Sequence, residues 1–220
     1  MNERIIGILA SSFKEILLMG LKVTIPLTLL SFFFGFIIAL IVALTRVSKI
    51  KVLSQIASIY VWIFRGTPLI VQLFIIFYGL PAMGIVLDAF PSAVIGFSLN
   101  VGAYASETIR ASILAIPEGQ YEAGYVVGMP YHKIMFRIIL PQALRISFLP
   151  LFNSFIGLVK DTSLAASITL PEMFLSAQRI AAVTFEPFWL YIETAFIYLL
   201  FCSILTAIQY YLEKNYSKNR

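Results

Sequence analysis

The stretch VTIPLTLLSFFFGFIIALIVAL, residues 23–44, carries no charged side chain anywhere along its length. Crossing the hydrocarbon core of a bilayer takes roughly 20 mostly apolar helical residues. A water-facing helix of that length shows a charged face, and this one has none. It therefore reads as the charge-free part of a transmembrane helix over about 17–44. Reading outward from it, four more apolar runs appear, over about 52–80, 92–116, 143–160 and 188–212. The second is interrupted by Arg65, the third contains Glu107 and Arg110, and the fifth holds Glu193. The fourth is charge-free only over 146–159 and ends at Lys160 and Asp161. Residues 162–171 are apolar again and read as a re-entrant or interfacial piece, which needs protein or a wet cavity around its backbone.

Ahead of the first span, Ile5, Ile8, Leu9, Phe13 and Ile16 fall at helical spacing. They suggest either a short amphipathic helix lying in the interface or a frayed terminus. The apolar core over 5–10 is too short for a cleavable signal.

Composition agrees with five spans. Apolar residues make up 60% of the chain and charged residues 12%, against about 45–50% and 25% in a soluble domain. The net charge of +5 does not point to nucleic acid, because the basic residues lie in the gaps between apolar runs, where membrane topology puts them. A single cysteine, Cys202, and a single histidine, His132, leave no internal disulfide, His-based triad or His-rich metal site to build.

Five spans put the termini on opposite faces, and positive charge decides which is inside. One face takes Arg46, Lys49, Lys51, Arg65, Arg110, Lys133, Arg137, Arg145, Lys214, Lys218 and Arg220; the other takes Arg4, Lys14, Lys22, Lys160 and Arg179. Eleven and five account for all 16 Lys and Arg. The first face is expected to be cytoplasmic, with the N-terminus outside and the C-terminus inside. Aromatic anchors fall where interfaces are expected, with Tyr60 and Trp62 near the inner start of the second span and Trp189 and Tyr191 near the outer start of the fifth.

Between the third and fourth spans lies a loop over about 117–141 that reads as two short helices. Pro117 suits a helix start, with Glu118 at the positive end of the dipole. Gly128 suits a left-handed cap. Pro130 opens a second helix, which Pro141 interrupts or closes.

The same loop resembles the cytoplasmic signature loop of ABC importer permeases: Glu-Ala-Ala, three residues, Gly, nine residues, Ile, one residue, Leu-Pro. Glu122, Ala123 and Gly128 fall in register, followed by Ile138, Leu140 and Pro141. Gly124 departs, standing where the family usually has a second Ala, a change worth about 1 kcal/mol of helix stability. Flanking segments resemble the polar amino-acid uptake branch of that family: Arg65-Gly-Thr-Pro-Leu with Gln72, Gly102-Ala-Tyr with Glu107 and Arg110, Pro117-Glu-Gly-Gln, and Lys160-Asp-Thr-Ser-Leu.

The resemblance implies an all-α, type I importer permease in a bacterial cell membrane. Two such chains, identical or homologous, would form the pathway. ATPase subunits would receive the loop of each chain in a groove, and an extracytoplasmic binding protein would deliver a polar amino acid. Glu122, Ala123, Gly124 and Gly128 would make or shape the ATPase contact. Glu122 would either hold a cation on the ATPase or cap nearby backbone. The chain holds no Gly-x-x-x-x-Gly-Lys-[Ser/Thr] phosphate loop. ATP and Mg belong to the partner, and no cofactor is expected in this chain.

Ionisable groups inside spans are costly and face protein or water. An amino acid presents both signs of charge, so Asp161, Glu107, Arg65 and the neighbouring Gln72 are candidates for the substrate pathway. The competing reading is structural. Glu107 and Arg110 are three apart and pair on one helix, while Arg65 either snorkels to the interface or pairs with a carboxylate. Gly35 and Ala39 read as helix packing.

Two other functions compete. A self-sufficient secondary transporter or channel predicts internal inverted repeats, and five spans do not divide into halves. An intramembrane enzyme needs a nucleophile–base pair or paired acids, which scattered carboxylates and one loop histidine do not supply.

Overall fold

The computed structural model describes residues 3–48 and 50–217, apart from the side chains of 215–217. Lys49, Lys218 and Arg220 of the charge count lie outside what is described. The described residues are helical and contain no strand. In chain order the helices are α1 Glu3–Val47, α2 Lys51–Gly66, α3 Leu69–Met83, α4 Ala89–Leu114, α5 Glu118–Val126, α6 Tyr131–Ile168, α7 Met173–Thr184 and α8 Pro187–Ser217.

Among the described residues, α1, α6 and α8 are long and apolar enough to cross a membrane, and the broken pair α2 and α3 makes a fourth if counted as one span. Helix α4 has 26 residues, about 39 Å at 1.5 Å per residue, enough to cross. Glu107, Arg110 and a series of serines make it the more polar one.

Three prolines shape these helices in the same way. A proline inside a helix has no N–H to donate, and its ring clashes with the carbonyl four residues earlier. The chain relieves both problems by widening the preceding turn. The π turns Gly20–Thr24, Ile75–Gly79 and Met135–Ile139 end two residues before Pro26, Pro81 and Pro141. In each, the residue just before the proline donates to the carbonyl five back: Ile25 to Gly20, Leu80 to Ile75 and Leu140 to Met135.

Several sequence expectations change. Pro141 neither interrupts nor closes its helix, because the π turn carries α6 straight through it. The helix that carries the fourth span is accordingly longer than 143–160, and Thr162–Ile168 continues it as a tight 3-10 segment. That segment stops at Thr169, with φ 64. The amphipathic N-terminal segment runs into the first span as one continuous helix. The second span is broken, since Pro68 is extended at ψ 137 and Val71 and Gln72 restart the helix by donating to its carbonyl. The residue before a proline disfavours helical geometry, so Thr67 completes the break. Helix α7, in a stretch the sequence left as a gap, is capped by Glu172, whose carboxylate accepts from Phe174 N and Leu175 N at 2.8 Å each.

The chain divides into two compact units. One comprises α1 up to Phe33, Thr67–Phe97, and the chain from Phe155 onward. Its core gathers Ile16, Val159, Met173, Ala177, Ile197 and Phe201. Polar ties close it: Ser12 donates to Glu193 at 2.5 Å, Arg4 to the Thr184 carbonyl at 3.0 Å, and Tyr198 to Glu172 at 2.8 Å. The other unit comprises Phe34–Gly66 and Ser98–Ser154. There Gly35, Ala39 and Ala43 form a small-residue stripe, both alanines fully buried. A Cβ on Gly35 would stand 2.7 Å from Val101 Cγ1, and one on Gly102 2.6 Å from Ile38 Cγ2. Small residues let helix backbones approach closely where lipid removes the hydrophobic drive for association.

Candidate functional site

Helix α5 is entered from Pro117, extended at ψ 139, with Glu118 in its first turn. It ends in a paired cap: Met129 N donates to the Gly124 carbonyl at 3.0 Å and Gly128 N to the Tyr125 carbonyl at 2.9 Å. Gly128 has φ +75, the left-handed geometry that this cap uses. Gln142 donates to Gln120 at 3.4 Å and to the Ile138 carbonyl at 2.8 Å, tying the start of α5 to α6. Burial pushes the Tyr121 phenol up, with Tyr131 and Tyr125 adding to the shift.

The four residues expected at the ATPase contact sit in different surroundings. Glu122 and Ala123 are exposed and free to meet a partner. Gly124 is buried against the chain itself: a Cβ there would lie 2.7 Å from Ile134 Cγ1. Its small size serves the packing of α5 on α6. Gly128 turns the chain. Sequence reading passed over the apolar end of the helix, where Val126 and Val127 are 86% and 72% exposed. The signal was two adjacent valines before a capping glycine.

The Gly124 contact gives a clean expectation. Gly124→Val should loosen the seat of α5, read as faster proteolysis of the 117–130 segment in detergent. Ile134→Ala should restore protection in the double variant. A Gly124→Val chain as protected as wild type would show that the contact does not hold α5.

Of the in-span groups, Glu107 and Arg65 meet in one cluster. Arg110 reaches Glu107 through Nε at 3.0 Å and Nη2 at 3.2 Å. Arg65 Nη1 lies 3.6 Å from Oε2, the oxygen that Arg110 Nη2 also reaches. Arg46, which sequence reading did not single out, also pairs with Glu107 and donates to Ser58 at 3.2 Å. Arg65 further stacks over the Tyr104 ring, 5.4 Å from its centroid. One carboxylate thus serves three guanidiniums, all partly exposed.

Gln72 and Asp161 belong to the other unit. Gln72 is buried and bridges the Pro68 break, donating to the Thr67 carbonyl at 3.1 Å and to its hydroxyl at 2.9 Å. The α3 turn that carries it packs on Thr162–Ile168, directly after Asp161. Asp161 is exposed and stands in no ion pair among the described residues. Beside it, Lys160 borders a groove of about 520 Å³ lined also by Ser163, Phe174, Tyr191, Tyr198 and Cys202. The described residues hold no group of three or more metal-ligating side chains.

Residues 31–218 match the family described as binding-protein-dependent transport system inner membrane component. The L-cystine transport system permease protein TcyB of Bacillus subtilis is 57% identical over 204 residues, covering 92% of this chain and 87% of that protein. A crystal structure of an amino acid ABC transporter with histidines superposes with a TM-score of 0.86 at 33% identity, covering 94% of this chain and 96% of that one. The inward-facing MetNI methionine ABC transporter shares the fold at 20% identity, with a TM-score of 0.74 and 98% and 99% coverage.

Proposed function

The chain belongs to the family of binding-protein-dependent transport system inner membrane components and is a membrane-spanning permease subunit of an amino-acid ABC importer; from that premise we propose how it works. Two such chains enclose the path for a polar amino acid. An extracytoplasmic binding protein delivers the substrate, and separate ATPase subunits, which hold ATP and Mg, dock on α5. The observation that carries this reading is α5 itself, a nine-residue helix with an exposed apolar end. Isolated helices under about 12–15 residues are marginal in water, and a groove on a partner supplies the missing burial. The relative that transports L-cystine makes cystine the first substrate to test.

Asp161 is the charged pathway residue we favour, with Gln72 beside its 3-10 segment. The cluster geometry favours a holding role for Glu107 and Arg65. In proteoliposomes carrying this chain, its ATPase and its binding protein, Asp161→Asn is expected to cut uptake at least about tenfold, roughly 1.4 kcal/mol of transition-state stabilisation. The amount of inserted protein should not change. Full uptake by the variant would remove Asp161 from the pathway, and uptake without any ATPase would favour the secondary-transporter reading.

We place the N-terminus outside and the C-terminus in the cytoplasm. In a Cys202→Ala background, Ser48→Cys and His132→Cys should label only from the cytoplasm and Asp88→Cys only from outside. The opposite labelling at residue 88 would invert the topology.

A further inference from the structure

Residues 34–66 and 98–117 contain five basic side chains and a single acid, Glu107. Three of the bases, Arg46, Arg65 and Arg110, converge on that acid. The cluster therefore carries two positive charges that no side chain in these segments offsets. A guanidinium presents five N–H donors, and one carboxylate with a serine hydroxyl occupies few of the fifteen. Charge held at the edge of a low-dielectric region attracts a counter-anion.

The helix that brings Arg65 to the cluster has a second, independent property. Along α2, Val52, Ile56, Ile59 and Ile63 recur at helical spacing, and Trp62 joins them. All are exposed, Trp62 to 75% and Ile56 to 60%. The opposite face is buried at Ala57 and Val61 and carries Ser58 to Arg46. Trp62 stands three residues before Arg65, so the two are neighbours on the helix surface. An apolar stripe thus ends beside a cationic cluster in want of an anion. A soluble anion has no use for the stripe, and a zwitterionic lipid has little for the surplus charge.

We propose that α2 and the Arg46–Arg65–Arg110 cluster form a binding site for an anionic phospholipid. The headgroup phosphate rests on the guanidinium forks, whose planar donors match phosphate oxygens, and an acyl chain lies along Ile56, Ile59 and Trp62. Glu107 holds the three arginines in place and competes with the phosphate for them. The site rests on the chain's being in a membrane and on no assumption about its substrate.

The test uses the full chain in neutral detergent with Trp189→Phe, which leaves Trp62 as the sole indole, since the chain has two tryptophans. Phosphatidylglycerol or phosphatidylcholine with brominated acyl chains is added and Trp62 fluorescence followed. Phosphatidylglycerol should reach half-quenching at a mole fraction roughly tenfold lower, as expected for surplus basic residues at an anionic headgroup. Arg65→Gln with Arg110→Gln should abolish that preference. Arg65→Gln alone, which leaves Glu107 paired with Arg46 and Arg110, should narrow it, and this arm decides the matter if the double variant does not fold. Inorganic phosphate at millimolar concentration should not displace the lipid. Equal quenching by both lipids, or an Arg65→Gln chain with an unchanged preference, would overturn the site. Displacement by inorganic phosphate would make it a soluble-anion site instead, and quench protection that grows with protein concentration would assign the stripe to a second copy of the chain.

Discussion

Glu107→Ala is expected to lower the stability of the chain in neutral detergent by about 3 kcal/mol, the loss typical of breaking a partly buried ion pair. The cause is the three arginines left behind rather than the one carboxylate removed. Arg46, Arg65 and Arg110 all lie within 4 Å of Glu107, and without it they repel one another across a poorly screened space. The Arg46 and Glu107 side chains are only 18% and 24% exposed, so water makes up part of the loss but not most of it. Arg110→Ala should cost less, since Glu107 keeps two partners. Thermal melting of the two variants, followed by loss of monodisperse protein, checks the order. A Glu107→Ala chain that melts with wild type would mean that the cluster contributes nothing to holding α1, α2 and α4 together.

The ion cluster also shows where sequence reading stops. That Glu107 and Arg110 pair was legible, because three residues on one helix are neighbours whatever the tertiary fold. That Arg65 pairs with a carboxylate was one of two competing readings, and Arg46 was only one of eleven charges on a face. Which helices bring distant charges together is a packing outcome, and the stripe Gly35, Ala39 and Ala43 that sets it shows small residues without showing their partner. The same limit appears along the spans. Apolar runs of about 20 residues announce themselves, so helix existence was read well. Their continuity was not, because prolines along a helix have different outcomes with similar sequence signals, and Pro150 even sits inside regular α-helix. At Pro68, preceded by Gly66 and Thr67, the helix breaks. At Pro26, Pro81 and Pro141 a widened turn absorbs the missing donor. Helix α7 was missed because its cap is a glutamate at residue 172, whereas Ser, Thr, Asp and Asn are the usual signals. The loop over 117–141 was the most legible part, since its turn chemistry is local: Gly128 was expected to take positive φ and does. The packing partner of Gly124 was not legible, because the residue it makes room for, Ile134, is ten positions away across a turn.

Gly128→Val is expected to abolish most coupled transport while leaving the chain inserted. With φ at +75, a β-branched side chain at residue 128 costs roughly 1–3 kcal/mol of backbone strain. A Cβ at this position meets nothing within 4 Å, so the effect is conformational and not a collision. The cheapest relief is to leave the left-handed region, and that breaks the two hydrogen bonds from Gly128 N and Met129 N that close α5. The helix then frays from its C-terminal end, where Val126 and Val127 present the apolar surface we assign to the ATPase. The span helices, by contrast, draw nothing from this cap. Expected results are therefore normal membrane levels, a lower yield of ATPase on co-purification, and ATP hydrolysis in liposomes that substrate-loaded binding protein no longer stimulates. Gly128→Asn serves as the control, because asparagine tolerates left-handed geometry better than other residues. It should retain most of the coupling. If valine and asparagine reduce coupling equally, the conformation of residue 128 is not what matters. If valine leaves docking and stimulation intact, α5 is not the element that receives the ATPase.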